Sequence, residues 1–184
     1  MNLPNKLTIL RIILVPFFIA CYLLGAQSTI WYWPAFVIFI VASVTDTLDG
    51  KIARKRGLVT NFGKIMDPLA DKILVYAAFC LMVEDGTVPA WMLIVILTRE
   101  FVVAGMRTVA ASDGIVIAAG MSGKIKTVLQ MIAVAVLLFA AAMIGTPYFQ
   151  WIWWIGQAFL WASLVMTVYS GAEYVIQNRK VFSL

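Results

Sequence analysis

Six apolar segments, each long enough to cross a bilayer, follow one another along this chain with only short breaks. A membrane-spanning helix needs roughly 20 mostly apolar residues. Six stretches meet that length: about 7–25, 31–54, 62–83, 89–111, 123–145 and 149–177. The uncharged run 127–172 is too long for one helix, and Gly145-Thr146-Pro147 divides it. The pattern predicts an all-α integral membrane protein with six transmembrane helices in one domain, residues 1–184.

Composition supports this prediction and excludes other classes of protein. Hydrophobic residues make up 63% of the chain and charged residues 12%, and the mean hydropathy is +0.95. Soluble domains are about 45–50% apolar and about 25% charged. A soluble enzyme, a disordered chain and a nucleic-acid-binding module are therefore excluded. The sequence has no histidine, which excludes histidine bases and histidine metal ligands.

The distribution of positive charge predicts the orientation of the helices. Lys and Arg residues cluster near the termini, the second link and the fourth link, and the other three links contain none. Because cytoplasmic ends of membrane helices have an excess of Lys and Arg, both termini are expected to face the cytoplasm. Six tryptophans lie at the opposite helix ends, as an interfacial belt does: Trp31, Trp33, Trp91, Trp151, Trp153 and Trp154.

Four aspartates interrupt the second and third apolar segments. A carboxylate inside a membrane span is costly and usually marks function. Asp46 and Asp49 are three residues apart, Asp67 and Asp71 are four apart, and each pair therefore lies on one helical face. Asp49 and Asp67 are each about nine residues from the centre of the link near 57–58, and Asp46 and Asp71 about twelve or thirteen. The four carboxylates are expected to converge in a pocket open to the cytoplasm.

Such a cluster favours a divalent metal. Four carboxylates in one pocket would raise one another's pKa values unless a cation compensated them. Ligands that are all oxygen favour Mg²⁺ or Mn²⁺, and shared carboxylates suit two ions. Two alternatives remain open. The aspartates could pair with nearby cations, or they could belong to a divalent-cation transporter, although a transporter predicts acidic groups spread along a path. The candidate cations are Lys51, Arg54, Lys64, Lys72 and Arg107.

The residues around the aspartates form a spaced pattern, D-x2-D-G-x2-A-R-x8-G-x3-D-x3-D, from Asp46 to Asp71. Gly50 and Ala53 lie on the aspartate face and leave room for a ligand against the helix, and Arg54 can bind a phosphate. The pattern resembles the signature of the CDP-alcohol phosphotransferase family, and all eight specified positions are present.

The resemblance extends over nearly the whole chain. The stretches 2–11, 67–72, 98–107 and 123–127 resemble the bacterial branch that uses sn-glycerol 3-phosphate as acceptor. This implies transfer of the phosphatidyl group from CDP-diacylglycerol, giving phosphatidylglycerophosphate and CMP. It also implies a homodimer among the lipids of the bacterial cytoplasmic membrane, with the active site facing the cytoplasm. The same chemistry with inositol phosphate, serine or phosphatidylglycerol as acceptor remains an alternative.

The resemblance also implies roles for individual residues. Asp46 and Asp67 are expected to be ligands shared by two metal ions, Asp49 to bind one ion, and Asp71 to accept the proton and contact the second ion. The residues expected to bind CDP-diacylglycerol are Asn5, Thr8, Gly50, Ala53, Arg54, Thr60 and Gly63.

An acceptor with a phosphate group needs cations near the metal pocket. Arg107 near the end of the fourth segment is one candidate, and Lys124 and Lys126 at the start of the fifth are others, because a helix start also favours phosphate. Arg99 is a further candidate for binding the acceptor phosphate, but it lies deeper, and the main expectation for it is an intramembrane ion pair with its neighbour Glu100. The lysines could instead be topology signals or contacts to anionic lipids.

Overall fold

The part of the chain that is described in a computed structural model forms a bundle of six α-helices. The structure describes the backbone of residues 3–56, 61–112, 114, 117 and 120–179, and the side chains of these residues outside 3–8, 46–56 and 61–71. In this described part there is no β-strand. The helices are α1 (Leu3–Gly25), α2 (Tyr32–Arg56), α3 (Asn61–Glu84), α4 (Ala90–Ser112), α5 (Met121–Ala142) and α6 (Phe149–Gln177), and a short 3-10 turn, Thr29–Trp31, precedes α2.

Each of the six predicted apolar segments corresponds to one helix. The largest differences are at α1, which begins at Leu3 rather than near 7, and at α5, which ends at Ala142 rather than near 145. The early end of α5 has a local cause, because the chain turns through Gly145 with a φ of 90°. That left-handed conformation is open to glycine and strained for other residues.

Contacts between distant residues identify one end of the bundle. The Tyr22 hydroxyl, near the end of α1, donates to Asp85 Oδ2 in the α3–α4 link at 2.5 Å. The Gln157 amide, in the first turns of α6, donates to the carbonyl of Thr87 in the same link at 2.8 Å. Trp33, at the start of α2, contacts Phe139 near the end of α5. The tryptophan-rich helix ends therefore lie together, as the sequence predicts.

Large apolar side chains from all six helices form the core. The largest of those that are almost completely buried include Phe18, Phe39, Phe79, Met92, Leu138 and Leu160. Helices α5 and α6 approach closely where Gly156 faces Leu137, because a Cβ at Gly156 would lie 2.6 Å from Leu137 Cδ2. Small residues allow membrane helices to pack in this way.

The outer surface of the bundle is also apolar. Helices α5 and α6 are each long and apolar enough to cross a membrane, and shorter apolar stretches occupy Ile9–Gly25 and Thr29–Thr45 in the described part. Exposed apolar surface on this scale suits contact with lipid rather than water. The fold thus has the properties of an integral membrane protein. Every helix exposes at least one large apolar side chain, for example Phe17, Val37, Ile73, Ile94, Val128 and Val165.

Candidate functional site

The four aspartates lie on two helices that contact each other. Asp46 and Asp49 are in the last three turns or so of α2, and Asp67 and Asp71 are in the first three or so of α3. All four side chains lie outside the described residues, so their predicted convergence stays a prediction. Among the side chains that are described, no group of three or more Asp, Glu or Cys could hold a metal ion.

Most of the predicted contacts to CDP-diacylglycerol fall on or between the two helices that carry the aspartates, and two fall on α1. Asn5 and Thr8 are in the first turns of α1, and Gly50, Ala53 and Arg54 follow Asp49 on α2. Gly63 is in the first turn of α3. None of these residues has a described side chain, and Thr60 lies wholly outside the described residues.

Lys72 directly follows Asp71 along the chain, and it belongs to a cluster of charged side chains. Its ammonium group is 3.0 Å from Glu100 Oε2 on α4. Arg99 Nη1 donates to Glu100 Oε1 at 2.9 Å, and Lys126 Nζ on α5 donates to the same oxygen. We call Lys72, Arg99, Glu100 and Lys126 the Glu100 cluster. It connects α3, α4 and α5 immediately beside Asp71.

Burial and charge distinguish the members of the Glu100 cluster. Lys126 is 2% exposed and Glu100 11%, whereas the Lys72 side chain is 45% exposed. One carboxylate faces three cations, so the cluster has two more positive than negative groups. The predicted ion pair between Arg99 and Glu100 is confirmed. Lys126, predicted to bind the acceptor phosphate, is instead buried in a pair with Glu100.

Two glycines make room for the Arg99 side chain. A Cβ at Gly123 on α5 would lie 3.1 Å from Arg99 Nη2, and a Cβ at Gly171 on α6 would lie 3.0 Å from Arg99 Cγ. Arg99 Nε is buried and has no hydrogen-bond partner in the described part of the chain. The guanidinium therefore retains a donor that an additional acceptor could satisfy.

Arg99 also borders an open apolar groove between α4 and α6. The groove has a volume of about 310 Å³, and Ile94, Val102, Val168 and Val175 are among the residues that line it. Several of these side chains are exposed on the outside of the bundle. Arg99 thus joins the charged cluster to a surface suited to lipid chains.

Arg107, the first predicted contact to the acceptor phosphate, lies against Tyr174 of α6. Arg107 Nε donates to the Tyr174 hydroxyl at 3.2 Å, and the guanidinium carbon is 5.4 Å from the centre of the ring. Tyr174 is buried, whereas Arg107 and Lys124 are exposed. Arg107 is therefore held by a fixed partner while part of it stays accessible.

Sequence reasoning noted Glu100 only as the neighbour of Arg99 and missed Tyr174. The sequence does contain a signal for Glu100, because a glutamate inside an apolar segment needs a compensating positive charge just as the aspartates do. Nothing comparable marked Tyr174, since a tyrosine near a helix end is common at membrane interfaces. Its importance comes from a contact with a residue 67 positions away along the chain.

Comparisons with known proteins agree with the all-helical fold and the aspartate pattern. A family model described as CDP-alcohol phosphatidyltransferase matches residues 1–169. The chain therefore belongs to the CDP-alcohol phosphatidyltransferase family.

Several relatives of the chain carry the enzyme name CDP-diacylglycerol–glycerol-3-phosphate 3-phosphatidyltransferase. The relative from Bacillus subtilis is 45% identical, with 96% of this chain and 95% of the relative aligned. Those from Rickettsia felis and Shigella flexneri are 34% and 35% identical, and each alignment covers at least 95% of both proteins. The similarity thus extends over whole chains and not just over the aspartate motif.

Proposed function

We propose that this chain transfers the phosphatidyl group of CDP-diacylglycerol to sn-glycerol 3-phosphate, giving phosphatidylglycerophosphate and CMP. The observation that carries the proposal is the 45% identity, over almost the full length of both chains, to an enzyme named for this reaction. The complete aspartate signature supports the phosphatidyl-transfer chemistry, since all eight specified positions are present.

The proposed metal ligands are the four aspartates. Their donor set fits Mg²⁺ or Mn²⁺, because all the donors are carboxylate oxygens on two helices in contact. Asp46 and Asp67 would be shared by two ions, Asp49 would bind the first and Asp71 the second. Bound ions would neutralise the pyrophosphate of the donor and the charge on the leaving CMP.

Asp71 has a second role in the proposal as the proton acceptor. Its carboxylate takes the proton from the primary hydroxyl of glycerol 3-phosphate, and the oxygen attacks the phosphorus that bears diacylglycerol. The bond from that phosphorus to the CMP oxygen breaks, and CMP leaves with the electron pair. Positioning and electrostatic stabilisation would provide most of the acceleration.

The donor is proposed to bind along α1, α2 and the start of α3. Gly50 and Ala53 leave space for it against α2, and Arg54 contacts its phosphate. The remaining proposed donor contacts are Asn5, Thr8, Thr60 and Gly63.

The acceptor phosphate is proposed to bind the exposed cations Arg107 and Lys124. Lys126 and Arg99 of the Glu100 cluster add positive charge behind them. Arg107 suits this role because its contact with Tyr174 fixes its position, and a guanidinium can bind phosphate through two hydrogen bonds.

A lipid donor and a water-soluble acceptor require a site at the membrane surface. We propose that all six helices cross the bacterial cytoplasmic membrane, that the termini and the active site face the cytoplasm, and that the protein forms a homodimer. The positive charge at the helix ends near the aspartates supports this orientation.

The reaction can be tested with purified protein in detergent micelles. CDP-diacylglycerol and Mg²⁺ are supplied with labelled glycerol 3-phosphate, inositol phosphate, serine, phosphatidylglycerol or free glycerol in separate reactions. We expect CMP release and labelled phosphatidylglycerophosphate with glycerol 3-phosphate, and no product after chelation of the metal. Product with another acceptor but none with glycerol 3-phosphate would contradict the proposed identity of the acceptor. Full turnover after exhaustive chelation would contradict the proposed requirement for a metal ion.

Substitution of the exposed cations tests where the acceptor phosphate binds. Arg107→Ala and Lys124→Ala are expected to raise the KM for glycerol 3-phosphate by roughly tenfold to a hundredfold, because each removes a hydrogen bond to a charged group. The KM for CDP-diacylglycerol should change little. Arg179→Ala, an exposed cation at the end of α6, is the matched control. A rise only in the KM for CDP-diacylglycerol would assign Arg107 and Lys124 to the donor.

A further inference from the structure

Glu100 connects three helices that border the proposed active site. Its carboxylate pairs with Lys72 of α3, with Arg99 beside it on α4, and with Lys126 of α5. Lys72 directly follows the proposed base Asp71, and Lys126 is two residues after Lys124, a proposed contact to the acceptor phosphate. These ion pairs therefore connect the helical turn of α3 that contains the proposed base, Asp71, to the turn of α5 that contains Lys124.

The pair with Lys72 also restricts rotation of α3. Successive residues of an α-helix are about 100° apart around its axis, because one turn takes 3.6 residues. A contact that fixes the direction of Lys72 toward α4 thereby fixes the direction in which position 71 projects. The pair with Lys126 has the same effect on the first turns of α5.

The charge of the Glu100 cluster is suited to a nearby anion. Among the described side chains, Glu100 is the one carboxylate paired with these three cations. Lys126, at 2% exposed, is out of reach of most ligands. Lys72 is the accessible member, with 45% of its side chain exposed. Arg99 Nε is buried without an acceptor among the described residues. The cluster thus keeps positive charge beside the site where the phosphorylated acceptor is proposed to bind.

We propose that Glu100 is a positioning residue for the acceptor half of the site, holding Lys72 and Lys126 so that Asp71 and the phosphate-binding cations keep their relative positions. This inference rests on the proposed function. Glu100 itself touches neither substrate. Its loss should therefore affect use of glycerol 3-phosphate much more than binding of CDP-diacylglycerol.

The first test is Glu100→Gln, which keeps the shape of the side chain and removes its charge. The KM for glycerol 3-phosphate is expected to rise by about tenfold or more, the effect of one lost hydrogen bond between the acceptor phosphate and a displaced cation. The KM for CDP-diacylglycerol should stay within about twofold. Glu100→Asp, which keeps the charge on a shorter side chain, should give an intermediate value. Glu84→Gln, an exposed carboxylate at the far end of α3, is the control.

A double variant separates positioning from simple support of the fold. Glu100→Gln leaves Lys126 buried without its counterion, which can prevent folding. Glu100→Gln with Lys126→Met removes both charges and should recover the thermal stability of the wild type. We expect this variant to retain the raised KM for glycerol 3-phosphate. Recovery of a normal KM together with stability would overturn the proposal, because Glu100 would then serve only to neutralise Lys126.

Lys72→Gln provides a further variant on an exposed side chain that is expected to fold. It should raise the KM for glycerol 3-phosphate, and its effect should not add to that of Glu100→Gln, because both changes break the same pair. Additive effects would contradict the inference. Wild-type protein that does not use glycerol 3-phosphate would instead contradict the proposed function, so the two failures can be distinguished.

Discussion

Glu100 and Asp71 illustrate two ways in which a membrane helix can accommodate a carboxylate. Glu100 is surrounded by cations from three helices, and its charge is compensated within the protein. Removing one partner of such a buried pair costs about 3–5 kcal/mol, because the other charge is left uncompensated. Asp71 is proposed to be compensated by a metal ion, and it therefore remains available for chemistry.

Asp71→Asn should reduce kcat by about a hundredfold or more, the usual effect of losing a general base. Binding of CDP-diacylglycerol should largely persist, because the proposed proton transfer involves the acceptor. Steady-state rates and retention of labelled CDP-diacylglycerol by the purified protein measure the two effects. Asp46→Asn should lose metal binding as well. Normal turnover by Asp71→Asn would remove this residue from the proton-transfer role.

Tyr174→Phe tests whether the tyrosine hydroxyl orients Arg107. The substitution keeps the ring, which packs with Val103 and Met106, and removes the acceptor of the Arg107 hydrogen bond. We expect the KM for glycerol 3-phosphate to rise by about two- to tenfold, in line with one ordinary hydrogen bond, with thermal stability little changed. Tyr169→Phe, on the exposed side of α6, should have no effect. If the two variants had the same KM for glycerol 3-phosphate, Tyr174 would have no role in acceptor binding.

At the scale of helices, the pairing of α5 with α6 depends on small residues at the contact. Ala133 and Ala140 on α5 and Gly156 and Ser163 on α6 are buried. Between helices surrounded by lipid there is little hydrophobic driving force, so close van der Waals packing is the main source of stability. This pairing also holds Tyr174 and Gly171 of α6 beside α4.

Gly156→Ala should weaken the contact between α5 and α6. The added methyl group would meet Leu137 Cγ at 2.8 Å and the Leu137 backbone nitrogen at 3.3 Å. Such overpacking costs about 1–3 kcal/mol, which thermal denaturation in detergent would detect as a lower Tm. Gly105→Ala is the matched control, because a Cβ there meets nothing within 4 Å. A Tm for Gly156→Ala as high as that of the control would contradict this prediction, because the added methyl group would then fit between the helices without loss of stability.

At the scale of the whole molecule, the two ends of the bundle differ in chemistry. One end combines exposed tryptophans with the Tyr22–Asp85 and Gln157–Thr87 hydrogen bonds. Away from that end lie the Glu100 cluster, on α3, α4 and α5, and Arg107, near the end of α4. The four aspartates belong to α2 and α3. This asymmetry matches the distribution of Lys and Arg that predicts cytoplasmic termini.

Labelling of single cysteines tests that orientation. In a background with Cys21 and Cys80 replaced by alanine, Thr146→Cys is placed in the α5–α6 link and Asn178→Cys just after α6. A maleimide that cannot cross membranes should label Thr146→Cys in intact bacteria. It should label Asn178→Cys only after the membrane is opened. The reverse result would invert the proposed topology.

The sequence by itself determined the six helices, their approximate bounds and the aspartate pattern that identifies the family. These features depend on hydropathy and spacing within one helix, which can be recognised locally. The convergence of the aspartate side chains and their roles remain predictions, since those side chains lie outside the described residues.

Only the tertiary structure decided which polar groups from different helices meet. Lys126 reaches Glu100 across 26 positions of the chain, and Arg107 reaches Tyr174 across 67. Neither contact follows from spacing, because it depends on how each helix is rotated and how closely it packs against its neighbours. For the same reason the sequence predicted Lys126 as an accessible phosphate ligand, whereas the packed structure buries it beside Glu100.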